Sequence, residues 1–361
     1  MIQKRLHAFL FPLHNEELVL CKTLQSLVNA GVAWEDMYFV DDGSTDRTFE
    51  LLNKLTFPYL SMNNMLYLNP NVGKTKALVT AFKHFKLAER YEWVNTCDGD
   101  TLLSSNYLKE LIPILKDVSN NTAAIASRVC SIKNSWNLYT TYRTWEYWLM
   151  QVTYKRAQGY INCVTVLPGC GTTFRTSIFE QLSNELRPEI LTEDMLWTIR
   201  IHLEGLGKIL YADSLRVWTQ DPDRLSSYWK QNNRWFQGGW QVFRELKMWN
   251  IFKNKINAET SFLFGEGVFF SSLFTFCLIA LCFGWLPIFV HYFFLFDLLI
   301  FTILTIIGAF WELDNRLIIW MPFFYFLRTI KCVIFLYSFF KIMLFQSDKR
   351  KALKWNKVAR Y

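Results

Sequence analysis

Residues 261–346 hold only eight formally charged side chains: Glu266, Asp297, Glu312, Asp314, Arg316, Arg328, Lys331 and Lys341. Such a stretch is too apolar for a water-soluble domain and long enough to cross a bilayer more than once. Segments 262–283 and 286–310 each meet the ~20 residues needed to span a ~30 Å hydrocarbon core. Trp311-Glu312-Leu313-Asp314-Asn315-Arg316 then breaks the run, and Pro322, Arg328 and Lys331 interrupt the third segment, 317–345. Three full crossings would put the basic tail, 347–361, outside, against the positive-inside rule. The expectation is two crossings plus an interfacial or re-entrant third segment.

The whole chain has 361 residues, so the part before this stretch can bury a large core. Hydrophobic residues make up 52% and aromatics 17%, which excludes disorder, collagen and a coiled coil. A net charge of +8 suits nucleic acid, anionic lipid or an anionic substrate. No nucleic-acid-binding motif is present, so the expected partners are membrane lipids and an anionic substrate, with no nucleic acid. The eight cysteines form no Cys-x-x-Cys and no zinc spacing, and read as reduced core residues. The apolar run Ala8-Phe9-Leu10-Phe11 is too short for a signal peptide, which predicts a cytoplasmic N-terminal domain.

Short apolar runs at 8–11, 37–40, 65–68 and 93–96 read as buried strands. Helical patterns at 17–30, 46–55, 74–85 and 106–116 alternate with them. That alternation predicts a parallel sheet with right-handed crossovers, whose ligands sit at the carboxyl ends of the strands. Two aromatic and basic stretches follow, 136–160 and 225–250. They read as helices lying in a membrane interface, against the plainer alternative of amphipathic surface helices. The expected organisation is a cytoplasmic domain over 1–224, interfacial helices over 225–260, a transmembrane region over 261–346 and a basic tail over 347–361.

The polar sequences after the strands are where chemistry is expected. The first strand runs into Pro12-Leu13-His14-Asn15-Glu16-Glu17. The second runs into Val40-Asp41-Asp42-Gly43-Ser44-Thr45-Asp46. Asp-Asp-Gly-Ser alone describes a turn that caps a helix, with Ser44 or Thr45 at the N-cap. Two adjacent carboxylates nevertheless repel unless something uses them, and a nucleoside offers base N–H and ribose hydroxyl donors. The third strand precedes Asn69-Pro70-Asn71-Val72-Gly73-Lys74-Thr75-Lys76, where glycine then lysine at a helix start can hold an anion. The spacing is not that of a P-loop. After the fourth strand, Thr96-Cys97-Asp98-Gly99-Asp100-Thr101 sets two carboxylates around one glycine, a pair able to meet a hard cation and a diphosphate together. One Asp-x-Asp is common; four such loops in succession at strand ends are not.

Leu191-Thr192-Glu193-Asp194 reads by itself as a helix cap. Gln231-Asn232-Asn233-Arg234-Trp235 places an amide, a guanidinium and an indole on one helical face. Arginine suits phosphate and tryptophan the apolar face of a sugar ring; a membrane-interface anchor is the blander reading.

With Asp-Asp-Gly-Ser, Asp-Gly-Asp, Thr-Glu-Asp and Gln-x-x-Arg-Trp in that order, the chain resembles the family-2 inverting glycosyltransferases. Within them it is similar to the membrane-bound processive synthases of β-linked polysaccharides: hyaluronan, chitin, cellulose and poly-N-acetylglucosamine. The stretch from Trp311, with Ile319-Trp320-Met321-Pro322, looks most like the bacterial poly-β-1,6-N-acetylglucosamine synthases. The resemblance implies an α/β, GT-A-like nucleotide-diphospho-sugar transferase domain with a mixed, mainly parallel sheet. Interfacial helices and C-terminal transmembrane helices would follow it. It implies metal-dependent transfer of a sugar, N-acetylglucosamine, from a UDP-sugar to a growing β-linked polysaccharide. The runner-up is a non-processive transferase acting on a polyprenyl-linked acceptor.

By the same resemblance, Asp41 and Asp42, with Pro12 and Glu16 nearby, would hold the uridine. Lys74 or Lys76 would approach the diphosphate. Asp98 would lie near ribose and metal, and Asp100 would ligate Mg²⁺ or Mn²⁺. Asp194, beside Glu193, would be the general base. Gln231, Arg234 and Trp235 would clamp acceptor and diphosphate, and the loop Pro168-Gly169-Cys170-Gly171-Thr172-Thr173 would floor the acceptor site. The stretch Trp355-Asn356-Lys357-Val358-Ala359-Arg360 is similar to a segment that gates the site in some relatives. Inversion at the anomeric carbon needs one base and a stabilised leaving diphosphate, with no carboxylate nucleophile. Partial burial would raise the pKa of Asp194.

Synthases of this kind usually carry membrane helices ahead of the catalytic domain, whereas this chain starts at the first strand. A partner subunit or a homo-oligomer is the expected source of further helices. The expected location is the inner or plasma membrane, multi-pass, with the catalytic domain in the cytoplasm. His14 and His202 receive no role. Glu266 reads as a translocation-path residue or as the wet end of the first span.

Overall fold

The computed structural model describes residues 4–56, 62–132, 136–187, 189–285 and 287–350. The first four apolar runs form β1 (Arg5–Leu13), β2 (Met37–Asp42), β3 (Met65–Leu68) and β4 (Tyr91–Thr96). Among them lie α1 (Leu20–Asn29), α2 (Thr48–Thr56), α3 (Lys74–His84) and the short α4 (Leu87–Arg90). β1 pairs in parallel with both β2 and β4, and β2 with β3. Strand side chains alternate between faces. Accordingly Phe9, Phe11, Leu13, Met37 and Phe39 pack with Leu20, Leu24 and Leu27 of α1. Ala8, Leu10, Tyr38 and Val40 pack on the other face with Ala77, Leu78, Ala81 and Phe82 of α3. A sheet covered on both faces needs strands apolar on both sides, which is why these runs do not alternate in polarity.

The chain continues through β5 (Leu102–Leu103), α5 (Tyr107–Asp117), β6 (Thr122–Ser131) and α6 (Leu138–Tyr147). A π-helical stretch, Trp148–Lys155, joins α6 to α7 (Arg156–Tyr160). Then come β7 (Thr172–Arg175), α8 (Thr176–Ser183), α9 (Glu193–Leu203), β8 (Lys208–Thr219) and α10 (Leu225–Glu245). The strands form one sheet in the order β3-β2-β1-β4-β7-β6-β8-β5. β7 lies antiparallel between β4 and β6, and β6 runs parallel to β8. The sheet is therefore mixed but mainly parallel, in keeping with the GT-A-like expectation. β1 has β2 on one side and β4 on the other, so the crevice opens at the carboxyl ends of β1 and β4.

At the start of α2 the Thr48 N–H donates to the Asp46 carboxylate at 2.9 Å rather than to a hydroxyl of Ser44 or Thr45. Ser44 instead closes the turn after β2, its N–H donating to Asp41 Oδ1 at 2.7 Å.

Three helices among the described residues are long and apolar enough to cross a membrane: α11 (Lys255–Cys282), α12 (Ile288–Glu312) and α13 (Arg316–Phe339), the last continuing as a π-helical Phe340–Leu344. α11 begins before the apolar pattern does because Asn254 caps it, accepting the Asn257 N–H. Pro322 lies inside α13 without ending it. The interval 225–260 is thus α10, a connecting loop and the first turns of α11. That loop exposes Trp249, Ile251 and Phe252.

α13 lies along α10. Leu317 joins Tyr228 in one apolar cluster, Phe335 packs on the rings of Phe236 and Trp240, and the Arg244 guanidinium donates to Ile342 O. Beyond it, α14 (Ser347–Arg350) brings Asp348 within 2.6 Å of Arg244. Gly308 of α12 sits against the ring of Trp148, which a Cβ would approach to 2.9 Å. The stretch 136–160 is no open polar face, because Tyr142, Arg143, Trp145 and Glu146 are all buried. All eight cysteines are free thiols, and Cys21 and Cys282 are exposed rather than core residues. The segment from Trp355 to Arg360 falls outside the described residues.

Candidate active site

Loops from distant parts of the chain meet at the carboxyl edge of the sheet. Lys74, at the start of α3, points its ammonium at Asp98 Oδ1, 2.6 Å away, and at Glu193 Oε1, 3.6 Å away. Burial disfavours the charge on Lys74, but Asp98 and Glu193 more than offset it and raise the pKa above its ordinary value. Gly169 makes room for this meeting: a Cβ there would stand 2.8 Å from Lys74 Nζ and 3.7 Å from Asp194 Oδ2. Lys76, two residues on, is exposed. The sequence leaves Lys74 and Lys76 as alternatives, and it is Lys74 that reaches the carboxylates.

Asp194 lies in the first turn of α9 and accepts the Met195 N–H at 2.8 Å. Burial, reinforced by the like charge of Glu193, raises its carboxyl to about 6. The direction is the one the sequence suggests for a base. Arg234 of α10 reaches the same loop, donating to Leu191 O at 3.4 Å. Gly238, one turn further, lets α10 sit on Thr192, whose Cγ2 a Cβ would meet at 2.5 Å.

The two aspartates ending β2 divide their work. Both oxygens of Asp42 are used: Val72 N–H and Gly73 N–H donate to them at 2.7 and 2.9 Å. Asp42 therefore ties the Lys74 loop to the sheet. Asp41 spends one oxygen on Ser44, and its Oδ2 is buried with no hydrogen-bond partner among the described residues. Burial pushes the Asp41 carboxyl up, against the Ser44 bonds. Pro12 lies buried near the end of β1 in register with Val40. Glu16 is buried beside Gly99, where a Cβ would come within 2.7 Å of its Cγ. Asp100 is buried beside the end of β8, its Oδ2 accepting from the Thr219 hydroxyl at 3.3 Å and from Gln220 N–H at 3.4 Å.

Among the described residues, no group of three or more His, Cys, Asp and Glu side chains is set to enclose a metal ion. Asp98 and Asp100 are two hard oxygen donors on one short turn. That suits a Mg²⁺-like ion that keeps waters and takes its remaining ligands from substrate phosphates.

Gln231 and Trp235 converge on a residue that no sequence motif singles out. Arg143 donates to Gln231 Oε1 at 2.8 Å, and its guanidinium lies 4.9 Å from the Trp235 ring centroid. Tyr147 and Asp221 also border this group, the Tyr147 hydroxyl donating to Asp221 Oδ1 at 3.0 Å. Burial lifts Asp221 to about 7, against the pull of Arg143. Lys155, on the π-helical stretch, is buried and pushed down to about 8, while Cys170 and Asp194 act the other way. The one sequence signal for Arg143, Tyr147 and Lys155 is a basic and aromatic composition, which equally describes a surface. His14 Nδ1 and His202 Nε2 each lie 2.9 Å from a backbone carbonyl, of Asp42 and Val164 respectively. Glu266 is exposed on α11.

The family described as glycosyltransferase-like family 2 matches residues 8–238. Poly-β-1,6-N-acetyl-D-glucosamine synthase of Staphylococcus aureus is 27% identical over 236 residues, 65% of this chain and 54% of that protein. Its counterpart from Staphylococcus epidermidis is 25% identical over 248 residues, 69% of this chain and 58% of that one. The chain thus spans about half the length of the curated relatives it matches. A mannosyltransferase from Pyrobaculum calidifontis, in complex with GDP-Man and Mn²⁺, superposes with a TM-score of 0.63 at 16% identity. The superposition covers 96% of this chain and 89% of that one, a likeness of fold.

Proposed function

The chain belongs to the glycosyltransferase-like family 2, and on that premise we propose that it moves N-acetylglucosamine from UDP-N-acetylglucosamine to a growing β-linked polysaccharide with inversion. The observation that carries this reading is the convergence of Asp194, Glu193, Lys74 and Asp98 at the sheet crevice, with Arg234 of α10 reaching the loop before Asp194. The relatives named as poly-β-1,6-N-acetyl-D-glucosamine synthases support the sugar and the product class.

In this mechanism the Asp194 carboxylate takes the proton from the acceptor hydroxyl. The hydroxyl oxygen bonds to the anomeric carbon as the bond to the diphosphate breaks, and UDP leaves with that electron pair. The Oδ2 of Asp41 is the acceptor suited to a base N–H, whereas Asp42 acts through the loop it fastens. Lys74 exchanges its carboxylate partners for diphosphate oxygens, and Arg234 adds a second cation. Asp98 and Asp100 would hold Mg²⁺ or Mn²⁺, which neutralises charge developing on the leaving diphosphate. Gln231 and Trp235 form the acceptor face.

A panel of UDP-sugars with membranes containing the protein tests the reading. UDP-N-acetylglucosamine should give a long product, and excess chelator should abolish UDP release. Turnover untouched by chelator would remove the metal role. A single sugar added to a lipid-linked acceptor would replace the polymer with the runner-up reaction.

The reading places the protein in a membrane through α11 and α12, with α13 laid on the catalytic domain. The contacts of α13 with α10 along its length, and the Arg244–Asp348 pair beyond it, support this arrangement. It keeps the basic tail on the side of the sheet. A reporter fused after Tyr361 should therefore be protected in the same compartment as one fused before Met1; opposite compartments would mean three crossings.

A further inference from the structure

A buried charge network joins α13 to the proposed acceptor face. Arg143 of α6 is 2% exposed, yet it sits between two carboxylates and three aromatic rings. Its Nη1 lies 2.8 Å from Glu146 Oε2 and its Nε 3.5 Å from Asp221 Oδ1. The Trp235, Tyr228 and Tyr147 centroids lie 4.9, 5.1 and 5.7 Å from the guanidinium carbon. Glu146, also buried, has a second cation in Lys331 of α13, with Nζ 2.5 Å from Oε1. The Tyr228 hydroxyl donates to the same oxygen at 3.4 Å.

The charges explain the need for Lys331. Glu146 and Asp221 are two buried carboxylates sharing one guanidinium. A buried charge is costly unless paired. With Lys331 on Glu146, that carboxylate has a cation of its own. Arg143 can then keep Nη2 on Gln231 and its face on Trp235. Take Lys331 away and Glu146 either binds a proton or draws Arg143 toward itself. Both outcomes loosen the hold on the two side chains that form the acceptor face.

We infer that Lys331 is a positioning residue for sugar transfer: through Glu146 and Arg143, α13 sets the orientation of Gln231 and Trp235. This rests on the proposed glycosyltransferase reaction. It adds that a helix apolar enough to be a membrane span also serves the chemistry. Lys331 touches no substrate in this scheme. Its influence falls on acceptor engagement and leaves the nucleotide pocket at Asp41 untouched.

The test uses the full chain in detergent or nanodiscs, with Lys331→Met, Lys331→Arg, Glu146→Gln and the Lys331→Met/Glu146→Gln pair. Hydrogen exchange is read over residues 228–238, UDP binding by calorimetry, and UDP-N-acetylglucosamine turnover against N-acetylglucosamine concentration. Lys331→Met should speed exchange in 228–238 and raise the acceptor KM about tenfold, a loss of ~1.4 kcal/mol, with UDP affinity unchanged. Lys331→Arg should restore both, and Glu146→Gln should make the Lys331→Met defect no worse, because both act on one network. Equal losses of UDP affinity and acceptor KM would mean a general structural role and overturn the inference. So would exchange in 228–238 that does not respond to Lys331→Met. If the wild-type protein transfers no sugar, the exchange data still decide whether Lys331 governs α10, so failure of the reaction and failure of the relay are told apart.

Discussion

Asp194→Asn should reduce sugar transfer by a factor of ~10²–10⁴, the range for loss of a general base, while UDP binding measured by calorimetry stays within twofold. The amide keeps the shape of the loop at the start of α9 and removes only the capacity to take a proton. Wild-type kcat/KM should rise with pH through about 6 and level off above it, because burial and Glu193 set the Asp194 carboxyl there and the unprotonated form is the active one. A carboxyl raised above its ordinary value disfavours its charged form in the fold. The resulting cost in stability is full above about pH 6, fades as pH falls below that, and is gone under the ordinary carboxylate range. Asp194→Asn should accordingly be at least as thermostable as wild type at pH 7 and much less active. Retained transfer in the amide variant, or a rate profile flat from pH 5 to 7, would take the base role away from Asp194.

The second large effect is expected among the apolar helices. Arg328 of α13 forms a two-pronged pair with Asp297 of α12, at 2.7 and 2.8 Å, and Tyr325 donates to the same carboxylate at 3.0 Å. Phe270 and Phe301 face the guanidinium at 4.7 and 5.2 Å. Arg328→Leu leaves a buried carboxylate without its cation, a change that typically costs ~3–5 kcal/mol. The apparent melting temperature in detergent should fall markedly. Arg328→Leu/Asp297→Leu should recover most of the loss, because an apolar pair of similar volume replaces a buried ion pair at little or no cost. If the double variant is no more stable than the single one, the pair is not what holds α12 to α13.

The strands β1 to β4 are legible in the sequence because each is a short apolar run between turn-forming residues, and both signals are local. The Thr192-Glu193-Asp194 loop is legible as a candidate because its motif is contiguous. The division of work between Asp41 and Asp42 is not. Two identical carboxylates differ only in which turn amides point at them, and the Val72 and Gly73 amides come from another loop. The antiparallel insertion of β7 between β4 and β6 is likewise a long-range pairing with no local sign. Arg143 and Glu146 lie far along the chain from Lys331, and a run of aromatic and basic residues reads the same on a membrane surface as in a core. Arg143 is held inward by the rings of Tyr228 and Trp235 on α10 and by Glu146, which Lys331 of α13 pairs in turn, and composition records none of these pairings.

The contact of Gly308 with Trp148 presses the backbone of α12 onto an indole that belongs to the sheet-bearing part, and α13 covers Tyr142 and Tyr228 in the same way. A cut between α10 and α11 would strip the lid from those rings and leave Glu146 without Lys331. The soluble-looking half is therefore not a fragment that can be expressed alone and expected to keep its native surface. Attempts to crystallise or assay a trimmed version should begin from an intact C-terminal helical part, with detergent chosen to preserve it.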